Sequence, residues 1–165
     1  MRDLKDLSDE KGMIKMQNVT NSMKMTIAGF SKNEALARMC VSAFASQLDP
    51  TIEEISDIKS AVSEAVTNCI VHAYPEKIGD IIIELKILGD DTIYIKIKDK
   101  GCGIPDVKQA MEPLFTTSPE TERAGLGFAV MESFMDKLTV RSTVGRGTSV
   151  TMTKRLSGRN EQTDR

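Results

Sequence analysis

A long amphipathic pattern between Thr51 and Tyr74 constrains the fold of this chain more than any other feature. Apolar residues recur from Ile52 onward at steps of three and four, as they do along one face of an α-helix: Ile55, Ile58, Val62, Ala65, Val66, Cys69, Ile70 and Ala73. Thr51 and Glu54 predict a capping box at its start, and Pro75 predicts its end. Such a helix would be about 36 Å long. We therefore expect the rest of the domain to be arranged around it.

The other periodic segments predict an α+β domain over residues 23–156. In chain order they are a strand over 23–30, a helix over 31–48 opened by a capping box of Ser31 and Glu34, the long helix, a hairpin over 80–98, a short helix over 105–111, a helix over 127–135 and a hairpin over 138–154. This order favours an antiparallel or mixed sheet with helices on one face. Residues 1–22 and 157–165 are polar and aperiodic, so we expect a flexible N-terminal extension and a disordered tail.

Composition narrows the classes of partner. The 165 residues include 22 Lys and Arg against 24 Asp and Glu, and a net charge of -2 gives no electrostatic footprint for nucleic acid or an anionic membrane. The first residues lack the apolar core of a signal peptide, and no apolar run approaches the roughly 18 residues that span a bilayer. The three cysteines form no Cys-x-x-Cys pair. We therefore expect a cytoplasmic protein without disulfides or zinc.

Two strand ends carry polar residues where alternation predicts a buried side chain. Asp99 follows Ile93, Ile95 and Ile97 on one face, and Thr148 shares a face with Val150 and Met152. A buried carboxylate needs a donor, either from the protein or from a ligand such as a purine amino group. The alternatives are that Asp99 is a solvated turn residue before Gly101 and that Thr148 is an ordinary residue of a β-hairpin.

Glu64, Asn68 and His72 are spaced by four, so they form one polar line beside the apolar stripe of the long helix. A glutamate can accept a proton from an attacking hydroxyl, and an asparagine oxygen is a neutral hard ligand suited to magnesium. The spacing is therefore typical of phosphoryl transfer. The alternative is a solvated helix face, and we interpret His72 either as a structural residue or as one that supports the residues contacting a ligand.

Gly125-Leu126-Gly127 precedes the apolar start of a helix, where free backbone N–H groups and the helix dipole favour an anion such as phosphate. Arg123 could neutralise phosphate charge there. The alternatives are a glycine-punctuated loop and a solvated arginine. Neither a P-loop nor a dinucleotide-binding fingerprint is present.

Taken together, these motifs resemble a known superfamily. The order Glu64…Asn68, Asp99-x-Gly101-x-Gly103, Gly125-x-Gly127 and Gly147-Thr148 is similar to that of the GHKL ATP-binding proteins, which include gyrase, heat-shock chaperone, histidine kinase and mismatch-repair ATPases. The segments 63–68 (SEAVTN), 101–105 (GCGIP), 113–117 (PLFTT) and 125–128 (GLGF) more closely resemble the anti-sigma F factor family, serine protein kinases of spore-forming bacteria. The likeness runs over residues 23–154.

The resemblance implies a two-layer α/β sandwich of the Bergerat type, with a mixed, mostly antiparallel sheet. ATP or ADP would lie between the long helix and a mobile lid at 112–124. By position, Glu64 corresponds to the general base, Asn68 to the Mg²⁺ ligand, and Asp99 and Thr148 to adenine contacts. The remaining nucleotide contacts would be Gly101, Gly103, Ile104, Thr116, Thr117, Arg123, Gly125, Leu126 and Gly127. Arg38 matches a position that contacts protein partners.

The resemblance also implies two activities of a homodimer. One is ATP-dependent binding of a sporulation sigma factor, sigma F, which blocks transcription; the other is phosphorylation of a serine on a small anti-anti-sigma factor. Two alternatives remain: an ATP-gated sigma-binding module with negligible kinase activity, and a histidine-kinase-like catalytic domain. The second is disfavoured because the only histidine, His72, lies within the long helix.

Overall fold

The computed structural model describes residues 18–112 and 126–158, and within them a five-stranded sheet carries the fold. The strands are β1 (Val19–Ala28), β2 (Asp80–Leu88), β3 (Thr92–Asp99), β4 (Lys137–Thr143) and β5 (Gly147–Arg155). Their order across the sheet is β1-β2-β3-β5-β4, and each neighbouring pair is antiparallel. Both expected hairpins are confirmed. The sheet is antiparallel in this part of the chain rather than mixed, since two hairpins supply four of its strands.

Four helices accompany the sheet in the described ranges: α1 (Lys32–Ala45), α2 (Ile52–Asn68), α3 (Val107–Met111) and α4 (Gly127–Phe134). The long helix α2 packs between α1 and α4. The apolar side of α2 buries Ile58, Val62 and Val66 in one core with the aliphatic side chains of β2 and β3. Each such buried side chain stabilises the fold by about 1.5–3 kcal/mol. The expected two-layer α+β arrangement is confirmed, and α2 is its central helix.

The two predicted capping boxes differ in outcome. The box at the start of α2 is confirmed, because Thr51 N–H donates to Glu54 Oε2 over 2.8 Å and Glu54 N–H donates to Thr51 Oγ1 over 3.2 Å. The box at Ser31 is wrong. Ser31 already has helical dihedrals (φ −53°, ψ −36°) and makes no side-chain cap, whereas a capping hydroxyl needs extended backbone to reach the following N–H groups.

The expected chain boundaries need two corrections. β1 begins at Val19, so the flexible extension predicted to end at Ser22 is four residues too long. Backbone pairing with β2 holds those residues, while their side chains are exposed and show no burial period. At the other end, Ser157 is held by Glu54 Oε1, which accepts from its N–H and its hydroxyl over 2.8 Å each. The predicted tail therefore begins too early; residues 1–17 and 159–165 lie outside the described part.

The long helix changes geometry at its end. After Asn68 it continues as one π-helical turn, Cys69–Ala73, and stops at Tyr74, directly before Pro75. π-turns are rare and are frequent at functional sites. Here the turn exposes the Ala73 carbonyl oxygen, which accepts from Cys102 N–H over 3.0 Å. In the described ranges, no helix has both the length and the apolar character needed to cross a membrane.

Candidate functional site

Asp99 is the buried carboxylate of the site. At the end of β3 it is only 3% exposed, and its Oδ1 accepts from Gly101 N–H over 2.9 Å and from Thr148 N–H over 3.1 Å. Its Oδ2 lies 3.7 Å from Cys69 Sγ. Asp99 is therefore not a solvated turn residue, and the strand alternation that placed it in a buried row is confirmed. Protein donors occupy Oδ1, while Oδ2 meets only the thiol among the described residues.

Cys69, which the sequence presents as one more small apolar residue of the long helix, begins the π-turn after α2 and contacts this carboxylate. Burial raises the pKa of the Cys69 thiol, and the charge and hydrogen bond of Asp99 raise it further. The thiol is therefore neutral at physiological pH and remains an S–H donor. Its role was not predictable from the sequence, because nothing in a periodic pattern tells which strand end a helix residue will face.

Three glycines form a wall next to Asp99, and we call Gly101, Gly103 and Gly147 the glycine wall. A Cβ on Gly101 would lie 2.1 Å from the Ala73 carbonyl oxygen, and one on Gly103 would lie 2.3 Å from that of Thr143. Gly147 has φ +101°, and its Cβ would lie 2.3 Å from the Asp99 carbonyl oxygen. Any side chain at these positions would strike backbone, so the wall requires glycine.

A hydroxyl pair links the wall to β4 and β5. Ser142 Oγ accepts from Ile104 N–H over 2.7 Å and lies 2.8 Å from Thr148 Oγ1. Thr148 thus sits at the site as expected, and Ile104 is half-buried beside it. Ser142 was missed in the sequence, where it is one of several polar residues in a strand. It holds the backbone of Ile104 and the side chain of Thr148 at one point.

Tyr74 is a third residue that the sequence did not mark as part of the site. Its hydroxyl donates to the Asp80 carbonyl oxygen and accepts from Lys100 N–H, both over 2.8 Å. Its ring lies so close to Gly79 that a Cβ there would be 2.2 Å away. Burial raises the pKa of Tyr74, so the phenol keeps its proton and can serve both bonds. Tyr74 therefore fixes the backbone directly after Asp99.

Glu64 and Asn68, which we call the helix line, face the start of α4. A Cβ built on Gly127 would lie 3.1 Å from Glu64 Oε2 and 3.4 Å from Asn68 Nδ2, so the helix N-terminus stands directly over both side chains. Both are half-buried, and neither bonds to another described residue through its side chain. The helix line and the start of α4 therefore lie next to each other in the structure.

His72 belongs to the π-turn beyond the helix line. It is half-buried, and burial lowers its pKa, so the imidazole is mainly neutral at physiological pH. Its carbonyl oxygen accepts from Cys102 Sγ over 3.1 Å. These features are consistent with the structural interpretation of this histidine.

The remaining predicted residues divide into three groups. Leu126 directly precedes α4 and is 45% exposed. Thr116, Thr117, Arg123 and Gly125 lie outside the described residues, as does the expected lid except for Glu112. Arg38 lies on α1, where its Nε is 3.6 Å from Glu34 Oε1, and α1 contributes no residue to the glycine wall or the helix line.

The site has two ends that differ in chemistry, one at Asp99 and one at the start of α4. At Asp99, an ionised acceptor retains capacity for a ligand donor beside closely packed backbone. At α4, backbone N–H groups suit an anion, while Glu64 and Asn68 direct oxygen atoms toward the same region. The described ranges contain no group of three or more His, Cys, Asp or Glu residues able to hold a metal ion. A cation bound here would therefore need further ligands from water or a bound molecule.

The sequence of this chain matches a known protein family and several known proteins. Residues 31–154 match the family described as histidine kinase-like ATPase domain. The chain is 61% identical over 140 residues to an anti-sigma F factor of Caldanaerobacter subterraneus subsp. tengcongensis, covering 85% of this chain and 96% of that protein. It is 59% identical over 135 residues to one of Thermoanaerobacter sp. strain X514, with coverage of 82% and 94%. For one of Pasteuria penetrans the identity is 52% over 137 residues, with coverage of 82% and 91%.

Two solved structures have the same fold. The RsbU and RsbW domains of a Mycobacterium tuberculosis protein match with a TM-score of 0.62 at 21% identity, over 84% of this chain and 33% of that one. This chain thus spans about a third of that solved chain. A mycobacterial sensor histidine kinase matches with a TM-score of 0.54 at 18% identity, over 82% of this chain and 99% of that one.

Proposed function

Because the chain belongs to the anti-sigma F factor family, with a histidine kinase-like ATPase domain over residues 31–154, we propose that it is both an ATP-dependent anti-sigma factor and a protein serine kinase. As an anti-sigma factor it would sequester a sporulation sigma factor in the cytoplasm. As a kinase it would phosphorylate a serine of a small anti-anti-sigma protein and so inactivate it. The observation that carries the proposal is the close approach of Gly127 to the side chains of Glu64 and Asn68, which would bring an anion site, a base and a metal ligand together at one point.

The nucleotide would bind with its base at Asp99 and its phosphates at α4. The purine 6-amino group would donate to Asp99 Oδ2, the oxygen without a backbone donor, and the side of the ring would pack beside Thr148 and the glycine wall. The triphosphate would extend toward Gly127, where N–H groups of the first turn of α4 suit phosphate oxygens. Support comes from the burial of Asp99 and from the close backbone approach that the glycines permit.

The helix line fits a magnesium ion carried by the nucleotide. Asn68 offers an uncharged amide oxygen without a partner among the described residues, and magnesium is usually bound through one or two protein oxygens plus phosphates and water. When bound, the ion would supply positive charge that offsets the negative charge of the phosphates. Asn68 would hold it, and Glu64 would remain available for proton transfer.

Glu64 would act as the general base. The hydroxyl of the partner's serine gives its proton to the Glu64 carboxylate while its oxygen bonds to the γ-phosphorus, and the bond to the β,γ-bridging oxygen breaks to release ADP. The N–H groups at the start of α4 then stabilise the charge on the transferring phosphoryl group. The half-burial of Glu64 and its position directly under Gly127 support this role.

The partner surface would lie on α1 around Arg38, and the active species would be a homodimer. Leu36 and Met39 are near Arg38 in the sequence and are 49% and 62% exposed, so α1 carries exposed apolar side chains as well as this arginine. Arginine beside exposed apolar side chains is typical of protein interfaces. The relatives are named anti-sigma F factors, which supports a sigma factor as the partner.

The proposal is tested with the full chain, ATP, magnesium and two partner candidates: the sigma factor and the small anti-anti-sigma protein of the same cell. We expect phosphoserine on the small protein by mass spectrometry, and ATP-dependent capture of the sigma factor. Arg38→Ala should weaken capture about tenfold while leaving ATP binding unchanged. ATP-dependent capture without phosphoserine would instead indicate an ATP-gated binding module, and phosphohistidine would indicate histidine-kinase chemistry. Absence of ATP binding would refute the proposal.

A further inference from the structure

The Asp99 carboxylate is held unequally at its two oxygens. Oδ1 accepts two backbone N–H groups, from Gly101 and Thr148, which lie on different segments of the chain. Oδ2 faces the Cys69 thiol, with 3.7 Å between sulfur and oxygen. This is a long but feasible S–H···O contact, because sulfur is larger than nitrogen or oxygen. The two oxygens therefore differ in what each can still accept.

The second oxygen needs a contact of its own to be fixed. The terminal torsion of an aspartate is broad rather than confined to narrow wells, so donors on one oxygen alone leave the carboxylate plane free to turn. A thiol is a weak donor, and an ionised carboxylate oxygen accepts about two hydrogen bonds. The Cys69 contact can thus orient Oδ2 and still leave acceptor capacity. A donor as strong as a backbone N–H would compete more directly with a ligand.

We infer that Cys69 is a positioning residue for base recognition: its S–H group donates to Asp99 Oδ2 and orients that oxygen toward the 6-amino group of a purine. The inference rests on the proposed nucleotide binding. It adds that the Cys69 thiol helps the site to select 6-amino purines over 6-oxo purines. A 6-amino purine offers a donor to Oδ2, whereas a 6-oxo purine offers a carbonyl oxygen that the carboxylate repels. Discrimination between the two depends on how firmly Oδ2 is held.

The test compares ADP with IDP, which differ at the 6-position of the base, by calorimetry in the presence of magnesium. For the unaltered chain we expect tighter binding of ADP. Cys69→Ala should lower the ADP-over-IDP preference about threefold, because one weak hydrogen bond to the carboxylate is lost. Cys69→Ser keeps a donor and should retain most of the preference. Cys40→Ala, which removes a thiol from α1, is the matched control and should change neither affinity.

A second readout follows the thiol itself. The S–H stretching band of Cys69 is the infrared band that disappears in Cys69→Ala, and it should shift to higher wavenumber in Asp99→Asn, where the charged acceptor is lost. A side chain that only fills space would show no such shift. If Cys69→Ala binds poorly because it folds poorly, two comparisons with the unaltered chain still test the inference. One is the S–H band in Asp99→Asn, and the other is the ADP-over-IDP preference of Cys69→Ser.

The outcomes separate the two levels of the proposal. If the unaltered chain binds neither ADP nor IDP, the proposed function fails. If it prefers ADP and Cys69→Ala keeps the same preference, only the inference about Cys69 is overturned. An S–H band that does not respond to Asp99→Asn overturns it as well. A reduced preference in Cys69→Ala, recovered in Cys69→Ser, supports it.

Discussion

The two ends of the candidate site are constructed on different principles. At the Asp99 end, two backbone N–H groups and a thiol contact the carboxylate, and three glycines pack closely against the backbone of other residues, so the geometry is set within the protein. At the helix line, the side chains of Glu64 and Asn68 lie where a Cβ on Gly127 would touch them, and they bond to no other described residue. The first end is therefore fixed by folding, whereas the second is the end at which we propose that the phosphates and the ion bind.

Because of this difference, we expect substitutions at the two ends to affect different properties. Substitutions at the glycine wall should affect the free energy of unfolding, because they disturb contacts on which the sheet depends. Substitutions in the helix line should leave stability unchanged and alter ligand binding or turnover. The expectations below test this division, in order of decreasing effect.

Glu64→Gln should have the largest effect. We expect the rate of phosphate transfer to the partner to fall about 10²- to 10⁴-fold, because the amide cannot accept the serine proton. The affinity for ADP should change less than about twofold, since no binding contact is assigned to Glu64. Single-turnover transfer from radiolabelled ATP measures the first quantity and calorimetry the second.

Glu132→Gln is the matched control for this substitution, since Glu132 is an exposed glutamate on α4. It should keep the full transfer rate. Equal losses of transfer and of ADP affinity in Glu64→Gln would assign Glu64 to binding or folding, and the helix line would then resemble the Asp99 end.

Gly147→Ala should have the next largest effect, on stability. Its Cβ would lie 2.3 Å from the Asp99 carbonyl oxygen, and its φ of +101° strains any other residue. We expect the free energy of unfolding to fall by about 3 kcal/mol. Gly145→Ala is the control: it has φ +75°, but a Cβ there meets nothing within 4 Å. About 1 kcal/mol should be lost there. Equal urea midpoints for the two variants would show that the wall can relax.

Asp99→Asn should weaken ADP binding about tenfold to a hundredfold without unfolding the domain, because a charged hydrogen-bond acceptor is replaced by a neutral amide. The loss should be the same with and without magnesium, since it arises where the base binds.

Asn68→Ala should instead remove only the part of the ADP affinity that magnesium adds. Calorimetry with and without the ion distinguishes them, and a magnesium-dependent loss in Asp99→Asn would mean that the ends are not separate.

Glu54→Gln should have the smallest effect, on stability. The Glu54 carboxylate lies outside both ends of the site and, among the described residues, is bonded only to Thr51 and Ser157. Partial burial raises the pKa of Glu54, but hydrogen bonds from Thr51 and Ser157 outweigh it, so the pKa lies below its ordinary value of 4.5. A depressed pKa contributes stability that is present above pH 4.5 and is lost as pH falls through the folded value. The difference in free energy of unfolding between the unaltered chain and Glu54→Gln should be about 1 kcal/mol at neutral pH.

Urea titrations at several pH values measure this difference, which should shrink as acid is added. Glu53→Gln serves as control, because Glu53 is an exposed glutamate in the same first turn of α2. A difference for Glu54→Gln that stays constant down to pH 3 would rule out the hydrogen-bonded carboxylate as its source.

The sequence predicted those features that depend on local pattern. The 3.6-residue period predicted α2, the two-residue period placed Asp99 in a buried row, and Thr51 with Glu54 predicted the helix start. The Ser31 box failed although it has the same residue spacing, because the backbone of Ser31 had already turned into the helix. Local composition cannot decide between these two dihedral states.

Contacts between distant segments were less accessible. Ser142 and Cys69 matter through atoms that lie far away along the chain, so neither periodicity nor a motif marks them. Val19–Ser22 were missed for a different reason: edge-strand pairing uses the backbone, and their exposed side chains leave no trace of it in the sequence. The glycine positions were predicted as a motif, but the backbone oxygens they approach were not.

The strand order has a consequence for synthesis. β5 lies between β3 and β4, and Thr148 follows Asp99 by 49 residues, so a chain emerging from the ribosome leaves one edge of β3 unpaired until its last strand appears. At ordinary translation speeds this delay is roughly 2–10 s. During it, an isoleucine-rich strand can join another nascent chain, and chaperones that cover such an edge would raise the yield of folded protein.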